Sequence, residues 1–452
     1  MNDRTQQLEN GNIRKLLFTF ALPSIIATTA TSLYNVIDRI FIGNDGGALA
    51  LAGLGITLPV MNLATALGTL VGAGSSALVS IRIGEKKREE ATRILCNAFL
   101  LNVIISLCFT ATALFFLKPI LLLFGADEQT LPYATQFLEI ILWGNIFTHL
   151  LFGLNSIMRS SGYPFKAMLS VLITVVCNVI LAPILIFGCK WGIRGAATAT
   201  VISQFTGLCW VMAHFIHKKS YIHFERKAMR IYWPHTRDVF AIGLSPFFIH
   251  VCASLVTIIM NWRLKDYGGN MAIASYGIIA AIQSLVITMV LGMTHGMQPI
   301  VGYNYGAKNY SRALQTYWLT VRWATIICAI SFAALQLFPQ YISRAFTDES
   351  SVIRDTAHAM RICCSMMFII GFQVVTSNFF QSINKAFISV VLSLLRQLLF
   401  LIPFIWFLPL MFNLNGAWWA TPCADICSVI VTGIILWRFL RDSKWKNHFS
   451  QT

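Results

Sequence analysis

The chain has 452 residues, of which 56% are hydrophobic and 12% charged, with a formal net charge of +16. An ordinary soluble domain carries about 25% charged residues, and no water-soluble fold buries this much apolar side chain. The composition excludes a soluble enzyme or binding domain and implies a polytopic membrane protein.

Twelve apolar runs long enough to span a bilayer are predicted, at 14–42, 49–80, 92–117, 131–158, 165–187, 192–216, 237–262, 271–302, 314–338, 352–381, 387–412 and 416–440. They are continuous rather than alternating, which favours helices over barrel strands. The first run contains SLYNVIDRIFIG, with Asp38 followed by Arg39. A carboxylate inside a span costs about 2.5–3.5 kcal/mol on insertion scales, so an intramembrane acid is a functional candidate by default. Arg39 points about 100° away from Asp38 on a helix and is expected to reach for the interface. Asn35 lies one turn before Asp38 on the same face, and Tyr34 offers a hydroxyl oxygen. In the second run Gly68, Gly72 and Gly74 suit close helix packing.

Two further acids are embedded in apolar runs, away from the run ends. Glu139, in the fourth, is open to either an interfacial or a functional reading. Asp425, in the twelfth, is either a second coupling group or a partner of Arg396 or Gln397 in the eleventh. The eleven cysteines are scattered, mostly in apolar runs, and read as small buried hydrophobes. No nucleophile elbow, P-loop, zinc signature or redox motif is present, so neither catalysis nor a bound cofactor is expected.

The basic residues are unevenly distributed. Arg82, Lys86, Lys87, Arg88, Arg93, the cluster from Lys218 to Arg237 and the tail residues Arg438, Arg441, Lys444 and Lys446 all fall on one side, with Arg14 and Lys15. The positive-inside rule puts both termini in the cytoplasm. The asymmetry also explains the net charge without nucleic-acid binding.

The two halves of the chain repeat. Gly46-Gly47 recurs as Gly268-Gly269, 222 residues on, and GEKKREEA (84–91) recurs in register as GAKNYSRA (306–313). The predicted organisation is a six-helix bundle at 1–217, a cytoplasmic linker at 218–236, a second six-helix bundle at 237–440 and a tail at 441–452. Repeated halves are a transporter architecture.

Several segments carry a family resemblance: ALPSI (21–25), the Asp of VIDRIFIG, GEKKREEA, NVILAPILIFG (178–188), GIRGAATATVISQ (192–204) and GAWWATPCADICS (416–428). In order, spacing and duplication they make the chain similar to the multidrug and toxic compound extrusion (MATE) family, in its bacterial multidrug-exporter branch. The resemblance implies an all-α membrane protein with two bundles around a V-shaped cleft. It implies an antiporter of the bacterial cytoplasmic membrane that expels cationic or amphipathic small molecules in exchange for H+ or Na+, with a single chain sufficing and lipids as surroundings. The family's first-span Asp acts with residues that fall on Asn178 and Thr200, while a further family Asp falls on Ala182. Asp38 is then the single acid of that cluster, and any bound Na+ would sit there. For the substrate the resemblance suggests aromatic and Met residues, here Phe152, Met260, Gln283, Met289, Met293 and Tyr303. A flippase for lipid-linked sugars, from the same superfamily, is the alternative.

Overall fold

The computed structural model describes residues 8–9, 11–217, 220–346, 350–441 and 445, and every regular element among them is helical. The first bundle's spans are α1 (Ile13–Asp45), α2 (Leu49–Gly84), α3 (Arg88–Phe115), α4 (Leu131–Ser160), α5 (Pro164–Gly188) and α6 (Ile193–Ile216). The second opens with α7 (Trp233–Gly269), α8 (Met271–Gly306) and α9 (Tyr310–Leu337). A pair bent by 53°, Ser351–Cys363 and Met367–Ser382, forms α10. The last helical stretch, Ala386–Leu440, has 55 residues. At 1.5 Å per residue it is about 80 Å long, more than twice a hydrocarbon core. Its helix breaks at Asn413 (φ 49°, ψ −138°), which divides it into α11 (386–412) and α12 (414–440). The described residues thus provide the twelve predicted spans, mostly within a turn of the predicted bounds.

The breaks follow the repeat. Gly47 (φ 62°, ψ −154°) separates α1 from α2 and Gly269 (φ 65°, ψ −161°) separates α7 from α8, a backbone region that only glycine enters cheaply. Lys86 and Lys308 take matching left-handed turns at φ 63° and 61°. Gly162 and Asn384, again 222 apart, do the same at φ 94° and 59°. Capping differs between the copies. Asn309 accepts from the backbone N–H of Arg312 at the start of α9, whereas its counterpart Lys87 gives α3 no side-chain cap.

The chain forms two compact units, one comprising residues 26–250 and the other 11–25 with 251–452. This differs from a cut at the linker. The start of α1 packs in the second unit and the start of α7 in the first. The contacts show why. A Cβ on Gly74 of α2 would lie 2.0 Å from the Val239 carbonyl oxygen of α7, and one on Gly296 of α8 would lie 2.4 Å from Cα of Ala21 in α1. Gly74 and Gly296 are repeat equivalents, so each second helix receives a crossing helix at a position where a side chain does not fit. Polar contacts hold both crossings. Asn97 of α3 donates to the Thr236 hydroxyl at 3.1 Å and accepts from the backbone N–H of Tyr232 at 3.3 Å. In the second unit Arg312 donates to the Gly11 carbonyl at 2.6 Å, and Phe18 meets Trp323 edge-on at 5.1 Å.

Within the first unit α4 packs against α3 and α6, and α5 against α6. An apolar cluster joins Ile42 of α1 to Ala182, Ile186, Ala196 and Ala199 of α5 and α6. Within the second unit α9 packs on α10, where the Tyr317 hydroxyl hydrogen-bonds with Thr376 at 2.8 Å and its ring meets Phe379 at 4.7 Å.

Candidate cation site

Asp38 is 8% exposed, and its Oδ1 is buried without a hydrogen-bond partner among the described residues. One turn earlier on α1, Tyr34 lies within electrostatic reach of Asp38 and beside Thr200. Asn178 of α5 donates its Nδ2–H to Thr200 Oγ1 at 3.2 Å, while the Thr200 hydroxyl returns to the Ala196 carbonyl at 3.1 Å. Three helices of the first unit therefore bring Tyr34, Asp38, Asn178 and Thr200 together. The groups on hand are a carboxylate, two hydroxyls and an amide, oxygen donors of the kind hard cations prefer. Ala182 is fully buried in the apolar cluster beside Ile42, so a methyl group occupies the position of the missing acid. Arg39 is exposed, yet its charge lies within electrostatic reach of Asp38. The side chain of Asn35 lies outside the described residues.

Asp425 belongs to the second unit and is 2% exposed. Arg396 donates Nε–H to its Oδ1 at 2.7 Å, so the partner is Arg396 rather than Gln397. Arg396 stands at the start of the π-helical stretch Leu395–Leu401, a wider turn of the kind found at functional sites. Cys363, Cys364 and Tyr276 lie within electrostatic reach of this pair. Glu139 is exposed.

The remaining candidates are spread through both units. Met260, Met293 and Tyr303 are buried at 1–3% exposure in the packing of the second unit. Gln283 donates to Cys364 Sγ at 3.7 Å and Met289 is half-buried. Phe152, in the first unit, is 37% exposed.

One feature of the first unit escaped the sequence. A cavity of about 560 Å³ lies at the end of α1, lined by Asp45, Gln136, Lys190 and Trp191 among others. Ala50, Ile186 and Ile193 line it and also belong to the apolar cluster that contains Ile42, one turn from Asp38. The cluster therefore floors the cavity. Asp45 comes just before Gly46-Gly47 and reads as part of a turn. Its approach depends on Gly192 (φ 53°), where a Cβ would come within 2.8 Å of Asp45 Oδ2.

The fold and these groups define a multi-span helical membrane protein built from a duplicated unit, with ionisable side chains held inside its spans. The MatE family model matches residues 23–184 and again 246–407, and the chain belongs to that family of transporters. Among curated proteins it is 23% identical to the multidrug export protein MepA of Staphylococcus aureus strain MRSA252, over 98% of this chain and 97% of that one. Among solved structures it resembles the MATE multidrug transporter DinF-BH, with 36% identity, coverage of 95% and 96%, and a TM-score of 0.89. It also resembles a transporter of the MOP superfamily from Pyrococcus furiosus, whose reversed pocket polarity is described as suggesting a different function, with 25% identity, coverage of 97% and 98%, and a TM-score of 0.91.

Proposed function

We propose that the protein is an antiporter that exports cationic or amphipathic small molecules in exchange for H+ or Na+, working as a single chain in the bacterial cytoplasmic membrane with both termini in the cytoplasm. The observation that carries the reading is Asp38, a carboxylate buried in a span beside Tyr34, Asn178 and Thr200. Binding H+ or Na+ cancels its charge. An ion that binds one access state more tightly than the other shifts the equilibrium by its differential affinity. An imposed potential adds about 2.3 kcal/mol per charge per 100 mV, so one carboxylate suffices to link an inward ion gradient to outward movement of substrate. The names of the MepA and DinF-BH relatives support drug export. The basic residues at one set of helix ends support the orientation.

Ethidium movement in proteoliposomes under separately imposed ΔpH and Na+ gradients tests this. Transport driven by one gradient and abolished by its collapse is expected. Transport that survives loss of both gradients and requires ATP overturns the reading.

A further inference from the structure

We propose that the first unit holds an anionic phospholipid headgroup in a basic groove formed by the α2–α3 turn and the inter-bundle linker. The groove has a volume of about 770 Å³ and is lined by Lys86, Lys87, Arg88, Arg93 and Lys227, with Glu89, Glu90, Glu225 and Tyr232. The charges within it are not evenly matched. Glu90 is engaged by Arg82 at 3.0 Å and Lys87 at 3.7 Å, and Glu225 by His223 at 3.5 Å. Lys86, Arg88, Arg93 and Lys227 have no ion pair among the described residues, and neither has Glu89, so four unpaired cations face one unpaired carboxylate. Arg88 instead donates Nε–H to the Tyr221 carbonyl at 2.6 Å and lies over the Tyr221 ring at 5.7 Å, while Arg93 lies over Tyr232 at 5.6 Å. Aromatic rings and a carbonyl thus fix two guanidinium groups without neutralising them, which leaves them able to take a bidentate phosphate.

Depth selects the occupant. α2 ends at Gly84, α3 starts at Arg88 and α7 starts at Trp233, so the groove lies where one span leaves the membrane and two enter it. Beside it Trp233 and Ile231 are 72% and 51% exposed, an apolar edge of the kind found at the membrane interface. A basic pocket between span ends next to exposed apolar groups suits a phosphate that carries acyl chains better than a free anion. The occupant would also tie the linker to the α2–α3 turn. Binding is measured without transport, so its outcome is separable from that of the export reading.

The test uses the full-length protein purified in detergent, titrated with phosphatidylglycerol, phosphatidylcholine, glycerol 3-phosphate and inorganic phosphate, with occupancy read by native mass spectrometry. Phosphatidylglycerol is expected to bind best. Each cation removed should weaken it roughly fivefold, so Lys86→Gln/Arg93→Gln/Lys227→Gln should lose on the order of a hundredfold. The charge-keeping Lys86→Arg/Lys227→Arg should retain affinity. Lys308→Gln/Lys385→Gln, in turns of the second bundle, should leave it unchanged. Should the neutralised triple fail to fold, the exposed Lys86→Gln alone still predicts a roughly fivefold loss. Equal binding of phosphatidylcholine, unchanged affinity on neutralisation, or inorganic phosphate or glycerol 3-phosphate binding as tightly as the lipid overturns the proposal.

Discussion

Arg396 and Asp425 form a buried ion pair at 2.7 Å, while their repeat equivalents Thr174 and Ser203 each bond back to their own helices, at Ser170 and Ala199. One copy of the duplicated unit has therefore put a charge pair where the other has two hydroxyls.

Breaking a buried pair leaves one charge uncompensated. Asp425→Asn and Arg396→Gln are each expected to lower stability by about 3–5 kcal/mol, read as thermal unfolding in detergent. Replacing both with apolar residues, Arg396→Met/Asp425→Leu, should recover most of that loss. A stable, export-deficient Asp425→Asn would show instead that the carboxylate carries transport.

Asp38→Asn is expected to insert and fold with parental stability within about 1 kcal/mol, because the amide keeps the size and most hydrogen-bonding capacity. Gradient-driven export should fall to near background, because the charge proposed to bind the ion is gone. Parental transport by purified Asp38→Asn would remove Asp38 from the coupling role.

Gly47→Ala and Gly269→Ala test the backbone alone. No atom lies within 4 Å of a Cβ at either position, so the cost is conformational, about 1–3 kcal/mol each. Equal losses at the two sites are expected in denaturant or thermal unfolding. A loss at one site only would mean that the two breaks are not equivalent.

Glu85, just past the end of α2, gives a pH dependence. Burial pushes its carboxyl upward, but hydrogen bonds from Arg82 and Lys87 and their charges outweigh this and hold it below 4.5. A depressed folded-state value contributes stability above the ordinary value and loses it as pH falls through the folded one. The side chain is 28% exposed, so the contribution is under about 1 kcal/mol. Glu85→Gln should therefore be slightly less stable at neutral pH, with the difference from the parent shrinking below pH 4.5. A gap that widens in acid would contradict the pairing.

The spans, the repeat and the Gly-Gly breaks are legible in the sequence because each is local: an apolar run, an echoed loop, a residue permissive at positive φ. Asp38 stands out because charge in a span is costly. Its neighbours Asn178 and Thr200 come from the resemblance, since nothing local links residues on three helices. Asp425 could be narrowed only to Arg396 or Gln397. Adjacent helical residues differ by about 100° in direction, and the π-helical turn beside Arg396 shifts the register that ordinary helical spacing assumes. The crossed starts of α1 and α7 leave no mark in composition, because an apolar helix reads the same whichever neighbours it packs on. Gly74 and Gly296 record the close approach without naming what approaches.

Those crossed starts change what a half of this protein is. Cutting the gene within the linker would give two fragments, each carrying an end that belongs to the other's compact unit: residues 11–25 on the first, 237–250 on the second. Neither fragment would be self-contained, and the two should recover a native fold only when made together.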